Sequence, residues 1–262
     1  MRVPVVQHHS RRRRALGRRA LWTGGEFLVT AGVILLLLVV HQLWWTNREA
    51  RQGAEHQVQA LERQWATPDA GSGGTPSANS GSTGGSSPHR SRTNDGSTTS
   101  SGSGSGSATA PHRSQAYAIL TIPRLHLRVP IAQGVSKQNV LNKGYVGHYP
   151  GTQQPGQTGN FALAGHRNTH GEPFRYLPRL RLKDTVQVET SAATFTYTVD
   201  KILPQTSAAD SGVIRPVPRS IVKPSYGYSR PGYYVTLTTC TPEFTSRYRM
   251  VVWGTLTSTR PR

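Results

Sequence analysis

The sequence predicts a mainly β domain, a closed or nearly closed barrel of about seven to eight strands with short helices, preceded by one transmembrane helix and a disordered linker. Three observations lead there. From Ala116 onward, short runs rich in β-branched and aromatic residues are broken by Gly and Pro. Between residues 66 and 115, 31 of 50 residues are Ser, Gly or Thr. Phe27 to Val40 is almost wholly apolar.

Residues 1–20 carry seven Arg and no acid. Leu21 to Trp45 follows, 25 residues with Glu26 as the single charged member. As a helix it rises about 37 Å, enough for a hydrocarbon layer of about 30 Å. Trp22 at one end and Trp44–Trp45 at the other suit the interfaces. Arg11–Arg14, Arg18 and Arg19 precede the span, so 1–20 reads as a basic cytoplasmic tail and everything beyond Trp45 as extracytoplasmic. A cleavable signal peptide is the competing reading. No small-x-small site follows closely, since His41 to Trp45 intervene, and a retained anchor over 21–45 is expected.

Ala54, Val58, Leu61 and Trp65 recur at helical spacing among polar residues, two heptads at most, too few for a coiled coil. A juxtamembrane helix over 46–65, resting on the membrane interface, is the expectation. The tract 66–115 buries too little apolar surface to offset its ordering entropy and is expected to be disordered. As a coil it reaches about 40 Å, a tether for the domain beyond.

The domain, 116–258, offers strands at 116–122, 127–132, 160–165, 185–190, 194–203, 233–240 and 248–256, with Thr194 to Val199 alternating as a half-buried strand should. A short helix is expected over Ser136 to Lys143, with Ser136 as N-cap and Gly144 as stop. Pro204, Pro216, Pro218, Pro224 and Pro231 mark a long loop restricted in φ before the strand at 233. A chain of this length buries a core without disulfides.

Cys240 is the only cysteine, which excludes a disulfide framework and a CxxC redox or zinc site. It ends a β-prone run beside Thr241-Pro242, at a rim rather than in a core, and is either an inert small hydrophobe or a thiol kept for its reactivity. His166 closes another strand. An imidazole near a thiol can hold it as thiolate and later protonate a leaving amine. His126, His148 and His170 compete with it. Arg247, Arg249, Val251 and Trp253 share one face of the last strand. Arg249 is either a solvated edge charge or, facing Cys240, a cation for a developing oxyanion. Arg247 is the alternative.

The string Thr236-Leu237-Thr238-Thr239-Cys240, eight further residues and then Arg249 on a Val-rich strand resembles the sortase signature. GHYPGT (147–152), GNFALAGHR (159–167) and GEPF (171–174) resemble the sortase histidine region, and IPRLHLRVPI (122–131) the opening strands. The resemblance covers nearly all of 116–257 and is greatest to the class E sortases of actinobacteria. It implies a sortase-like barrel and a cysteine transpeptidase, with Cys240 as nucleophile, His166 as acid/base and Arg249 at the oxyanion or substrate. It also implies substrate contact by Thr239 and Thr238, and a peptide groove formed partly by 207–231. The implied substrates are proteins with an LPxTG- or LAxTG-like sorting signal, cut between Thr and Gly. The implied acceptor is an amine of a peptidoglycan precursor or of another protein. No cofactor is implied, and six dispersed acids suggest no metal site.

Residues 116–262 hold 18 Lys/Arg against 6 Asp/Glu, a cationic domain. Its charges are scattered singly with no helix-turn-helix, zinc-finger or RNP pattern, so wall anions or lipid head groups are expected rather than nucleic acid. Charge leaves a second class of function open, a non-catalytic membrane-tethered wall-binding module with an incidental cysteine. A cysteine L,D-transpeptidase would need a His-Gly-Cys-like block, which Thr239-Cys240-Thr241 does not provide.

Overall fold

A computed structural model of the protein describes residues 9–66 and 111–262. Most of the expected disordered linker falls outside the described residues. A single helix, α1, runs from His9 to Ala66. From Gly24 it is long and apolar enough, by length and composition, to cross a membrane, and its apolar stretch is unburied.

Eight strands follow: β1 Ala116–Ile122, β2 Leu127–Gln133, β3 Val146–His148, β4 Gly159–Ala164, β5 Thr185–Glu189, β6 Ala193–Ser207, β7 Tyr233–Thr241 and β8 Tyr248–Pro261. They close into a barrel in the order β1-β2-β3-β4-β7-β8-β6-β5. Most neighbours are antiparallel, but β2 with β3 and β4 with β7 are parallel. The interior is filled by Leu120, Ile131, Phe161, Leu163, Val188, Tyr197, Leu237 and Val252, all essentially inaccessible to solvent. A second, smaller core lies on the outer face, where Leu203, Val213, Val251 and Trp253 pack under the 207–231 loop.

Several expectations change. The segment over Ser136 to Lys143 forms a turn and then a 3-10 helix, Leu141–Lys143, closed by Gly144 at φ 78°. Val146–His148 is too short and Gly-containing for a β pattern to show, yet it bridges β2 and β4. β6 continues through Pro204 to Ser207, because the register shifts between Leu203 and Thr206, where a missing N–H is tolerated. β8 runs on to Pro261, past the expected domain end at 258.

The apolar stripe after the span does not rest on a membrane interface. Val58 and Leu61 pack against Ile119 of β1, with Trp65 partly buried beside them, and Ala50 and Ala54 are also buried. Glu62 pairs with Arg128 of β2 at 2.8 Å, and Arg262 stacks over Trp65. The barrel offers an apolar partner, so burial against β1 and β2 replaces burial in lipid. Gly144 permits this approach: a Cβ there would stand 2.7 Å from the Ala50 carbonyl oxygen.

Candidate active site

The site is built where β4, β7 and β8 lie side by side, β7 in the middle. β7 and β8 are antiparallel, with Cys240 opposite Arg249, Thr238 opposite Val251 and Thr236 opposite Trp253. Directly opposed residues project to the same face with Cα atoms about 4.5–5.5 Å apart. Val251 and Trp253 lie in the outer core, so Cys240 and Arg249 continue that row to its rim, both half-buried. Because the barrel is closed, β8 is flanked by β7 and β6. Arg249 is therefore not on a free edge. Its Nη1 donates to the Ser246 and Tyr248 carbonyls at 2.8 and 3.0 Å, which turns the guanidinium along the strand start. Arg247 precedes β8 and lies over the Tyr248 ring.

On the other side, β4 and β7 are parallel, Ala164 beside Thr238. Beyond Ala164 the pairing continues through the Gly165 N–H, which donates to the Thr238 carbonyl at 3.1 Å, and the Thr239 hydroxyl, which donates to the Gly165 carbonyl at 2.8 Å. Arg167 Nη1 then donates to the Cys240 carbonyl at 3.2 Å and to Thr241 Oγ1 at 3.0 Å. The residues on either side of His166 are thus bonded to the stretch of β7 containing Cys240. His166 flanks Cys240 from β4 as Arg249 does from β8.

The His166 ring is fixed by Asn142, at the 3-10 turn 141–143: Nε2 lies 2.9 Å from Asn142 Oδ1. An amide oxygen only accepts, so Nε2 carries the proton and the Nδ1 lone pair is left for another proton. Burial, reinforced by the nearby His170 and Lys137, pushes the imidazole pKa down to about 4. At neutral pH the ring is uncharged, as a base must be.

Thr238 and Thr239 are placed differently from open substrate contacts. They are 4% and 3% exposed, and their hydroxyls donate to the Leu163 and Gly165 carbonyls of the adjoining β4 chain. Tyr149 Oη adds a bond to the Thr238 hydroxyl. Both threonines tie β7 to the β4 chain.

Of the competing histidines, His170 has its ring centroid 5.5 Å from that of His166, and His126 turns the chain at φ 48° between β1 and β2. His148 is fully buried between Tyr117 Oη, Gln133 Oε1 and the Gln153 carbonyl, with its pKa pushed to about 4 by burial, against the opposing hydrogen bonds to the Gln153 and Thr152 backbone. It is a structural histidine. Among the described residues, no group of three or more His, Cys, Asp or Glu is arranged to hold a metal ion.

Asn142 and Arg167 were not foreseen as site residues, although Arg167 follows His166 directly. Nor was Asp210, 4% exposed, which accepts from the Thr206 and Ser220 hydroxyls and the Ile221 N–H and so orders the 207–231 loop. Burial pushes its carboxyl pKa up, but these donors outweigh it and the net shift is down. Nothing in composition distinguishes Asn142 or Asp210 from other loop polar residues.

A family model described as the sortase domain matches residues 120–257. Sortase SrtE1 of Streptomyces coelicolor is 42% identical over 243 residues, 91% of this chain and 57% of that protein. Sortase SrtE2 of the same organism is 30% identical over 257 residues, 95% of this chain and 88% of that protein. This chain therefore spans little more than half the length of SrtE1. Among solved structures, sortase E1 of S. coelicolor, with a tripeptide in its active site, superposes with a TM-score of 0.54 at 50% identity, covering 58% of this chain and 94% of that one. Sortase E of Streptomyces avermitilis gives 0.51 at 40% identity, covering 57% and 93%. The family model covers more than half of this chain, and the SrtE relatives align over nine-tenths of it. The chain belongs to the sortase family.

Proposed function

We propose that the chain is a membrane-anchored cysteine transpeptidase acting on an LPxTG- or LAxTG-like sorting signal. The observation that carries this reading is the position of β7, which carries Cys240, between β4, whose chain continues to His166, and β8, whose second residue is Arg249. Neutral His166 takes the thiol proton as Cys240 sulfur attacks the Thr–Gly carbonyl. Arg249 stabilises the oxyanion or holds the carbonyl for attack. The C–N bond breaks, His166 returns the proton to the leaving glycine amine, and the acyl group remains as a thioester. An acceptor amine then attacks the thioester, loses a proton to His166 and forms the new amide, while Cys240 leaves as thiolate and is reprotonated. Thr238 and Thr239 position the nucleophile strand, and the loop 207–231 forms one wall of the peptide groove.

The apolar part of α1 supports an anchor, and the Arg-rich segment before it supports a cytoplasmic N-terminus with the barrel outside. In that arrangement 1–20 is the basic tail, 21–45 the span, 46–65 its extension onto the barrel, 66–115 the linker and 116–258 the catalytic domain. The acceptor is an amine of a wall precursor or of another protein.

The test is chromatography of a sorting-signal peptide incubated with the full chain in detergent, with and without glycinamide. Cleavage after Thr, and an amide product only with the amine, are expected. An intact peptide in both arms would favour a wall-binding module whose cysteine is incidental.

A further inference from the structure

We infer that a cavity of about 390 Å³ lined by Arg167, Arg175, Tyr176, Pro178, Arg179 and Glu243 seats a carboxylate of the amine acceptor that resolves the thioester. The inference rests on the transpeptidase reading and names the acceptor class that the reading leaves open.

Position comes first. Arg167 reaches from the cavity to the Cys240 carbonyl and the Thr241 hydroxyl, and Glu243 belongs to the turn that follows Cys240. The cavity therefore adjoins the rim of β7 on its β4 side. The imidazole that must take a proton from the incoming amine is on that same side, next to Arg167 in sequence. Arg249 lies on the other side, toward β8.

Charge comes second. Three guanidinium groups face one carboxylate. Arg175 is already engaged by Glu172 at 2.7 Å and by Glu243 at 3.3 Å. Arg167 and Arg179 are in no ion pair among the described residues. Arg167 Nε is buried without an acceptor. Arg179 Cζ stands over the Tyr176 ring, 4.2 Å from its centroid, and the Arg179 carbonyl is fixed by Arg124 at 2.9 Å. A guanidinium held over a ring loses little further freedom on binding, and its planar fork matches a carboxylate. Neither the sorting-signal core nor a simple amine carries the matching charge. An acidic peptide amine does.

The experiment compares acceptors of equal length, triglycine amide and analogues with a glutamate at the second or third position, as resolvers of the Cys240 thioester in the full chain. Acidic acceptors should show a KM about five- to tenfold below the neutral one. That preference should shrink with added salt. Arg179→Ala should bring the two acceptors together, and Arg179→Lys should retain part of the difference. Thioester formation is followed in every arm. If no thioester forms in the wild type, the transpeptidase reading itself fails. If it forms and acidic and neutral acceptors resolve it equally, or Arg179→Ala leaves the preference intact, the carboxylate seat is overturned.

Discussion

His166 Nε2 donates to Asn142 Oδ1 at 2.9 Å, and this bond joins the 3-10 turn between β2 and β3 to the imidazole just beyond β4. It fixes which ring nitrogen is free and which way the ring turns. Asn142→Ala should lower kcat about tenfold, as loss of an orienting partner does. Asn142→Asp should do something different. A carboxylate there favours the imidazolium, so the acid limb of the kcat/KM profile should move to higher pH. A pH–rate series on the two variants and the wild type checks both.

Arg249 and Arg247 are two residues apart, and only Arg249 pairs with Cys240. Arg249→Ala should slow thioester formation about 100-fold or more, whereas Arg247→Ala should change it little. Single-turnover acylation of the two variants separates them. Equal losses would mean that the register of β8 does not select the cation.

Much of this was legible in the sequence, because the strands that matter alternate strongly and the chemistry lies at their ends. The run from Tyr233 to Cys240 and that from Tyr248 to Leu256 gave the two strands, but Arg247 and Arg249 share a face in the sequence, and only the pairing of the strands sets Arg249 opposite Cys240. What could not be read was contact across the chain. Asn142 is one polar loop residue among many until β3 brings its turn to His166. Thr238 and Thr239 look like open hydroxyls until the parallel pairing with β4 supplies carbonyls for both. The stripe from Ala54 to Trp65 announces an apolar partner but not which one, and the barrel rather than lipid takes that place.

Gly144 is where that docking is most sensitive. Its φ of 78° disfavours a side chain, and an added methyl would collide with the Ala50 carbonyl. Gly144→Ala should loosen residues 47–65 from the barrel, seen as faster amide hydrogen exchange there and a loss of roughly 1–3 kcal/mol in stability. Unchanged exchange in that stretch would contradict the docking.

His148 and His166 set a pH dependence of folding. Both have folded pKa values pushed down to about 4 from 6.5. The unfolded chain therefore takes up protons on these rings between pH 6.5 and 4 while the folded chain does not. Stability should be full above about pH 6.5 and fall as pH drops toward 4, by on the order of 3 kcal/mol for fully buried His148 and less for half-buried His166. Urea unfolding across that range checks the slope, and His148→Gln should flatten it.

The central claim is that the sulfur of Cys240 attacks the sorting signal, and intact mass spectrometry of the full chain after brief incubation with an LAxTG-like peptide tests it most directly. The account predicts an added mass equal to the peptide portion ending at Thr, mapped to Cys240, sensitive to hydroxylamine and absent in Cys240→Ala. A chain that keeps its unmodified mass while hydrolysing the peptide, or an adduct that survives Cys240→Ala, would contradict it.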